Sequence, residues 1–307
     1  MNLLVGATGF IGGHLVEYLF KQGEISKGTF RMGSHLKILD SNGVQVMEAD
    51  LLDHHSLHEA MEGVDTVYNL ASPMPGSDSD FMKVNTEGVL NLLETASEAK
   101  VRTFIHLSTL DVHGFSSKEV SDPSKTSPAG DYQTSKAEAE RLLQEFAKRN
   151  PSTRVVIIRP AKAIGSRDSQ LTAPVIRMMT DGKVVLPSSG TMSFSHPLDI
   201  AQAMYKAATG TSVSGSVFLT KSFDATPEAL STALGTELGK AAKFSKPGVF
   251  SRSALPEYTA TQLRAALLLQ AQGSWQSLGY SPSFDLASTC SEIAAWYRKD
   301  PWGAEEA

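Results

Sequence analysis

Tyr132 and Lys136 stand four residues apart in Asp131-Tyr132-Gln133-Thr134-Ser135-Lys136, at the start of a run, Ser135 to Arg149, that reads as a helix. Residues at that spacing share a helix face with Cβ atoms about 5–6 Å apart, so phenol and ammonium can enter one site. A free phenol, with a pKa near 10, is a poor proton carrier at neutral pH, and a neighbouring cation favours phenolate and brings it nearer its working range. The chemistry implied is proton transfer to or from a substrate oxygen. Ordinary surface helices also carry such pairs, so the assignment depends on what else converges there.

Several elements do converge. Asn2-Leu3-Leu4-Val5 is a short apolar run, followed at once by Gly6-Ala7-Thr8-Gly9-Phe10-Ile11-Gly12 and then a helical pattern through Leu15, Leu19 and Phe20. A buried strand, a glycine turn and a helix in that order make an anion site from bare backbone N–H groups and a helix N-terminus. The end of the second strand, about 20 residues on, separates the two nicotinamide cofactors: an acid binds the ribose 2′-OH, an Arg accommodates a 2′-phosphate. Thr29-Phe30-Arg31-Met32-Gly33-Ser34-His35 contains no acid, and Arg31, Ser34 and His35 could hold phosphate, so NADP is favoured over NAD. Val44 to Met47 alternates as a strand ahead of Asp50, placed for adenine, and of Asp53 or Ser56, either able to cap a helix from Ser56 to Met61. Asp65 to Ser72 predicts a fourth strand whose end, Leu70-Ala71-Ser72, is small enough for a cofactor to pass. A helix from Asp80 to Lys100 and a strand Thr103 to Thr109 follow. Strands alternating with helices imply a parallel sheet covered on both faces, with ligands at the carboxyl ends of the strands. There Ser108 and Thr109 add hydroxyls, and Thr109 can anchor a carbonyl oxygen beside Tyr132 and Lys136.

Taken in order, the glycine loop, Asp50-Leu51-Leu52-Asp53, Asn85 in Val84-Asn85-Thr86-Glu87-Gly88, Leu107-Ser108-Thr109 ahead of Val112-His113-Gly114, Tyr132 with Lys136, and Arg159-Pro160 resemble the extended short-chain dehydrogenase/reductase family. Phe194 to Ala201 and Leu278-Gly279-Tyr280-Ser281-Pro282 are similar to its later landmarks, and the nearest branch is that of 3β-hydroxysteroid dehydrogenases and dihydroflavonol reductases. The resemblance implies an α/β fold: a Rossmann-type doubly wound parallel sheet over 1–160, and a smaller C-terminal α/β substrate-binding part over 161–307 whose segments interleave with the first. It implies that Tyr132 gives the proton in reduction, that Lys136 holds the nicotinamide ribose and lowers the Tyr pKa, and that Thr109 positions the carbonyl. Leu51, Asn85, Ser108 and Pro160 join the cofactor site, Ala161 the substrate side. Thr109 stands where the family usually has Ser, His113 where many relatives have Tyr, and Gly165 to Asp168 lacks a usual proline. A homodimer through the helices 80–100 and 135–149 is implied by the same analogy.

The second half predicts helices at Pro174 to Met179, Leu198 to Ala208, 227–239, 260–271 and 286–298, with strands Val184 to Pro187 and Ser216 to Leu219. Met178, Met179, Met192, Phe194 and His196 are its candidate pocket residues, Met192 and His196 the chosen substrate contacts. Composition narrows the partners: 41% apolar, 20% charged, net charge −5 and one cysteine favour a small-molecule substrate over nucleic acid or an anionic membrane. No apolar run approaches the ~20 residues of a membrane span, no leader pattern precedes the glycine loop, and no metal-ligand spacing is visible, so a cytoplasmic, metal-free oxidoreductase is expected. Two alternatives share the glycine loop: a nucleotide-sugar epimerase or dehydratase, which needs cations such as Arg167, Arg177 or Arg252 for a diphosphate, and a non-catalytic NADP-binding sensor or assembly protein.

Overall fold

The computed structural model describes residues 1–73, 80–115, 119–182, 184–186, 190–240, 244–245 and 255–300. The first half alternates strand and helix: β1 (Asn2–Val5), α1 (Phe10–Lys21), β2 (Ser26–Phe30), α2 (Lys37–Ser41), β3 (Gln45–Glu48), α3 (His54–Ala60), β4 (Thr66–Asn69), α4 (Gly88–Glu98), β5 (Thr103–Leu107), β6 (Glu119–Val120), α5 (Asp131–Arg149) and β7 (Arg154–Pro160). Thereafter come β8 (Lys162–Ala163), α6 (Thr172–Thr180), β9 (Val184–Val185), β10 (Met192–Ser195), α7 (Pro197–Thr209), β11 (Ser216–Thr220), β12 (Phe223–Ala225), α8 (Pro227–Leu238), β13 (Phe244–Ser245), α9 (Glu257–Ala265), β14 (Leu268–Leu269), α10 (Gln272–Leu278) and α11 (Leu286–Lys299).

Seven strands form one sheet in the order β11-β7-β5-β4-β1-β2-β3, every pairing parallel. Strand order reverses between β1 and β4, which opens a crevice at their carboxyl ends. Strands covered on both faces read as continuous apolar runs, and β1 and β7 do so. One core packs β1, β4, β5 and β7 against α3, α4 and α5; a second packs the opposite face against α1 and α7. Segments from beyond residue 160 therefore complete the first sheet: α7 lies along α1, and β11 pairs in register with β7. A third core, around α6, α8 and α11, includes Met178, Met179, Met192 and Phe194. The smaller sheets are β12-β10-β8, β13-β9 and β14-β6.

Boundaries shift where local chemistry outweighs pattern. Helix α5 begins at Asp131, not Ser135, its acid in the first turn meeting the positive end of the helix dipole. Tyr132 and Lys136 are thus on the helix itself. The helix expected from Asp80 starts at Phe81 and carries a π-helical turn, Lys83–Glu87, near its beginning. The helix expected to run to residue 271 stops at Ala265, because Ala266 takes a left-handed conformation (φ 50°) and Leu268–Leu269 pairs with β6. Asp53 caps α3 by accepting from the His55 N–H, starting it at His54. Pro187, the expected end of a strand, lies outside the described residues.

Candidate active site

The turn after β1 admits no side chain at Gly6 or at Gly12. Gly6 has φ 88°, and a Cβ there would lie 2.7 Å from the Ala71 nitrogen; one on Gly12 would lie 2.1 Å from the Gly6 carbonyl oxygen. Helix α1 starts with Gly9 at its N-cap and no side-chain cap bond, so its first N–H groups are left for an anion. A cavity of about 230 Å³ extends from this turn, lined by Gly6, Thr8 and Gly9 on one side, and by Asp50, Leu51, Leu70, Ala71 and Ser72 on the other. Arg31, the first residue after β2, and Ser34 stand at its far end. Their loop is closed by the Arg31 N–H donating to Ser34 Oγ (3.3 Å). His35 does not line the cavity. Asp50 is oriented by its own turn, accepting from the Leu52 N–H at 2.8 Å.

A second cavity of about 370 Å³ shares Gly6, Gly9 and Leu70 with the first and continues past Phe10, Ile11 and Gly12 to Ser108, Thr109, Tyr132, Lys136, Pro160 and Ala161. A glycine cradle opening through a continuous crevice onto a phenol and an amine suits a dinucleotide with its diphosphate at the turn and its reactive end at Tyr132.

Electrostatics around the pair are dominated by burial. Lys136, 2% exposed, donates from Nζ to the Leu107 carbonyl (2.8 Å) and lies 3.4 Å from His106 Nε2. Burial pulls its ammonium down to about 8, with Glu140 acting in the opposite sense. Burial, and then the Asp111 carboxylate, push the Tyr132 phenol up, against a smaller effect of Ser72. Lys136 is engaged by the Leu107 carbonyl, and burial and Asp111 outweigh other influences on the Tyr132 phenol. Thr109 Oγ1 accepts from the Asp111 N–H (3.2 Å), capping the short helical turn Leu110–His113, and its hydroxyl also engages the Asp111 carboxyl.

Several polar groups here carry no local signal in the sequence. Asp111, buried in the cavity wall, accepts from the Tyr258 hydroxyl (2.9 Å) and Gln262 Nε2 (2.6 Å), both on α9. The Tyr258 ring meets Tyr132 edge-on with centroids 5.4 Å apart, and Phe81 does the same from the other side at 5.6 Å. Beneath the site Glu140 accepts from Ser108 Oγ and from the Arg159 guanidinium (Nε, 2.8 Å). His113 joins this network, its Nε2 3.1 Å from Arg159 Nη1, and burial with the Arg159 charge pushes its imidazole down to about 4.

Three expected contacts lie outside both cavities. Met192 belongs to the C-terminal core, because β10 is buried along its whole length. His196 is fully buried, stacked on Phe284 at 3.6 Å and 3.6 Å from Glu292, and its Nδ1 caps α7 by accepting from the Leu198 N–H. Asn85 sits under the π-helical turn, donating to Ser135 Oγ at 3.0 Å.

Sheet order, the glycine turn and the Tyr/Lys pair together define the chain as an extended short-chain dehydrogenase/reductase. More narrowly, residues 2–218 match the NAD dependent epimerase/dehydratase family, and the chain belongs to it. It is 32% identical over 174 residues to sterol demethylase protein B of Methylococcus capsulatus, covering 54% of this chain and 52% of that one. To the decarboxylating sterol-4-alpha-carboxylate 3-dehydrogenase of Bos taurus it is 31% identical over 188 residues, 59% and 51% of the two chains. The chain thus spans about half the length of these curated relatives. In fold it is similar to a UDP-glucose 4-epimerase from Bifidobacterium longum, solved with NAD+ and UDP: TM-score 0.82, 18% identity, 98% of this chain and 99% of that one. Among the described residues no helix is long and apolar enough to cross a membrane, and no group of three or more His, Cys, Asp or Glu could hold a metal ion.

Proposed function

We propose that the chain transfers a hydride reversibly between a nicotinamide dinucleotide and a ketone or aldehyde, or the corresponding alcohol, with Tyr132 as proton donor and acceptor. The observation that carries this reading is the convergence of Tyr132, Lys136 and Thr109 on one cavity that also reaches the glycine turn. The bound cofactor supplies or accepts the hydride. In reduction Thr109 donates a hydrogen bond to the carbonyl oxygen and Tyr132, which burial keeps protonated, gives its proton to that oxygen as negative charge develops. Lys136, one helical turn along and held by the Leu107 carbonyl, would hold the nicotinamide ribose. Asp50, Leu51 and Leu70 to Ser72 would flank the adenine half, Ser108 and Pro160 the nicotinamide half, and Ala161 the substrate.

We assign NADP as the cofactor. Arg31 follows β2 directly and lines the far end of the cleft with Ser34, and no acid ends that strand. Tyr132→Phe removes one hydroxyl and keeps the ring packed between Phe81 and Tyr258. Turnover of any carbonyl substrate should fall by about 10²-fold or more, with cofactor affinity within about 3-fold, measured by cofactor oxidation and by fluorescence titration. Turnover like that of the unsubstituted protein would end the assignment.

The family description also supports a second reading, an epimerase or dehydratase that returns the hydride within one turnover. Its diphosphate would need a cation: Arg167 lines the cavity but is bound by Glu17 through two nitrogens (3.0 and 3.3 Å), and Arg252 lies outside the described residues. Oxidised cofactor accumulates in solution in the first reading and not in the second.

A further inference from the structure

Opposite the Tyr132 hydroxyl's own helix, α9 brings Tyr258, Thr259 and Gln262 to the cavity, all three among its lining residues together with Asp111 and Lys162. With Asp111 accepting, the amide of Gln262 takes one orientation. Its Nε2 lies 2.6 Å from Asp111 Oδ2; turned over, the amide would set its oxygen against a carboxylate oxygen. Oε1 is therefore the free end, and it is buried with no hydrogen-bond partner among the described residues. Thr259 Oγ1 is in the same state on a side chain 1% exposed. Buried polar atoms without partners are rare, and two of them in one cavity wall need an explanation in what that wall receives.

Resting on the assignment of Tyr132 as proton donor, we propose that Asp111, Gln262 and Thr259 form a hydrogen-bond-accepting pole that selects a substrate bearing a hydroxyl close to the reacting carbon, the vicinal position being nearest. Thr109, which meets the reacting oxygen, is two residues from Asp111 and hydrogen-bonded to its N–H, so reaction point and pole are adjacent. A carboxylate and an amide oxygen accept and do not donate, so they call for O–H or N–H on the ligand. Burial holds the Asp111 carboxyl above its ordinary range, with the Lys162 charge in the same wall acting the other way, so the pole carries little net charge and suits an uncharged, hydroxylated ligand better than an anion. A purely apolar ketone would leave the Gln262 oxygen and Thr259 hydroxyl buried and unpaired, which is how sites built for a hydroxyl reject its absence.

The test measures binding apart from turnover. The intact protein, saturated with oxidised cofactor, is titrated calorimetrically with cis-1,2-cyclohexanediol, cyclohexanol and cyclohexanecarboxylate. The diol should bind about 10-fold or more tightly than the other two. Gln262→Met and Thr259→Val should each cut that preference to below about 3-fold while leaving cofactor affinity unchanged. Thr259→Val is near-isosteric and keeps the experiment decisive if Gln262→Met does not fold. Equal binding of diol and alcohol, tighter binding of the carboxylate, no binding of any probe at about 20 mM, or a preference that survives both substitutions overturns the proposal. The two readings fail separately. Tyr132→Phe that still turns over 2-hydroxycyclohexanone removes the assignment of Tyr132 as proton donor and leaves the pole, whereas turnover of cyclohexanone and 2-hydroxycyclohexanone with equal kcat/KM, beside equal binding, does the reverse.

Discussion

Lys136→Met should make the folded chain less dependent on alkali for its stability while abolishing turnover, and the size of the effect follows from burial. The Lys136 ammonium is pulled from its ordinary 10.5 down to about 8, almost wholly because the folded protein takes it out of water. At 1.36 kcal/mol per decade, that displacement is about 3 kcal/mol held against the folded state whenever the amine is charged in both states. The sign follows from linkage. With the folded pKa below the unfolded one, the contribution to stability is complete above about 10.5 and is lost as pH falls through about 8. Methionine has a similar length and no charge to desolvate, but it leaves the Leu107 carbonyl without its donor, which costs about 1–3 kcal/mol. At pH 7.5 the variant should therefore unfold with similar or slightly higher stability than the parent. Between pH 7.5 and 10 the parent should gain about 2 kcal/mol on the variant, the other titrating groups being common to both. Urea unfolding of the two proteins at both pH values reads this difference directly. A stability difference that does not change with pH would refute the reasoning, because it would mean that Lys136 titrates alike folded and unfolded.

Other substitutions probe the frame around it. Gly12→Ala drives a Cβ to 2.1 Å from the Gly6 carbonyl, backbone against backbone, and should lower the melting temperature by about 5 °C or more and abolish cofactor binding in a fluorescence titration; unchanged values would contradict the turn as described. Glu140→Gln leaves the buried Arg159 guanidinium without its carboxylate, an expected loss of about 3–5 kcal/mol by urea denaturation. Arg31→Ala should weaken NADPH binding about 10-fold and NADH binding no more than about 2-fold; equal losses would count against a 2′-phosphate contact.

Much of the frame was legible because it is written locally. The runs at Asn2–Val5 and Thr103–Thr109 read as strands of a parallel sheet, the glycine spacing reads as a turn, and a Tyr and a Lys four apart share a helix face wherever that helix starts. What escaped has long range in the chain. Asp111 meets Tyr258 and Gln262 across 147 and 151 residues, and nothing near either end announces the pairing. Met192 and His196 show the opposite failure: residue type alone suggested a pocket, but burial on β10 and the cap of α7 use them for packing. The Tyr132 environment also went against local reasoning, since the partner four residues away is outweighed by the dry wall around it.

The pairing of β11 with β7 has a consequence for the order in which the molecule is made. Strand β7 is synthesised 55 residues ahead of its edge partner, between Pro160 and Ser216. At about 5–20 residues per second, its outer N–H and C=O groups wait roughly 3–11 s with nothing in the chain to pair with. The apolar face that α7 will cover waits nearly as long. A truncated product ending between 160 and 215 carries β7 without β11, an apolar edge left unpaired and open to another strand.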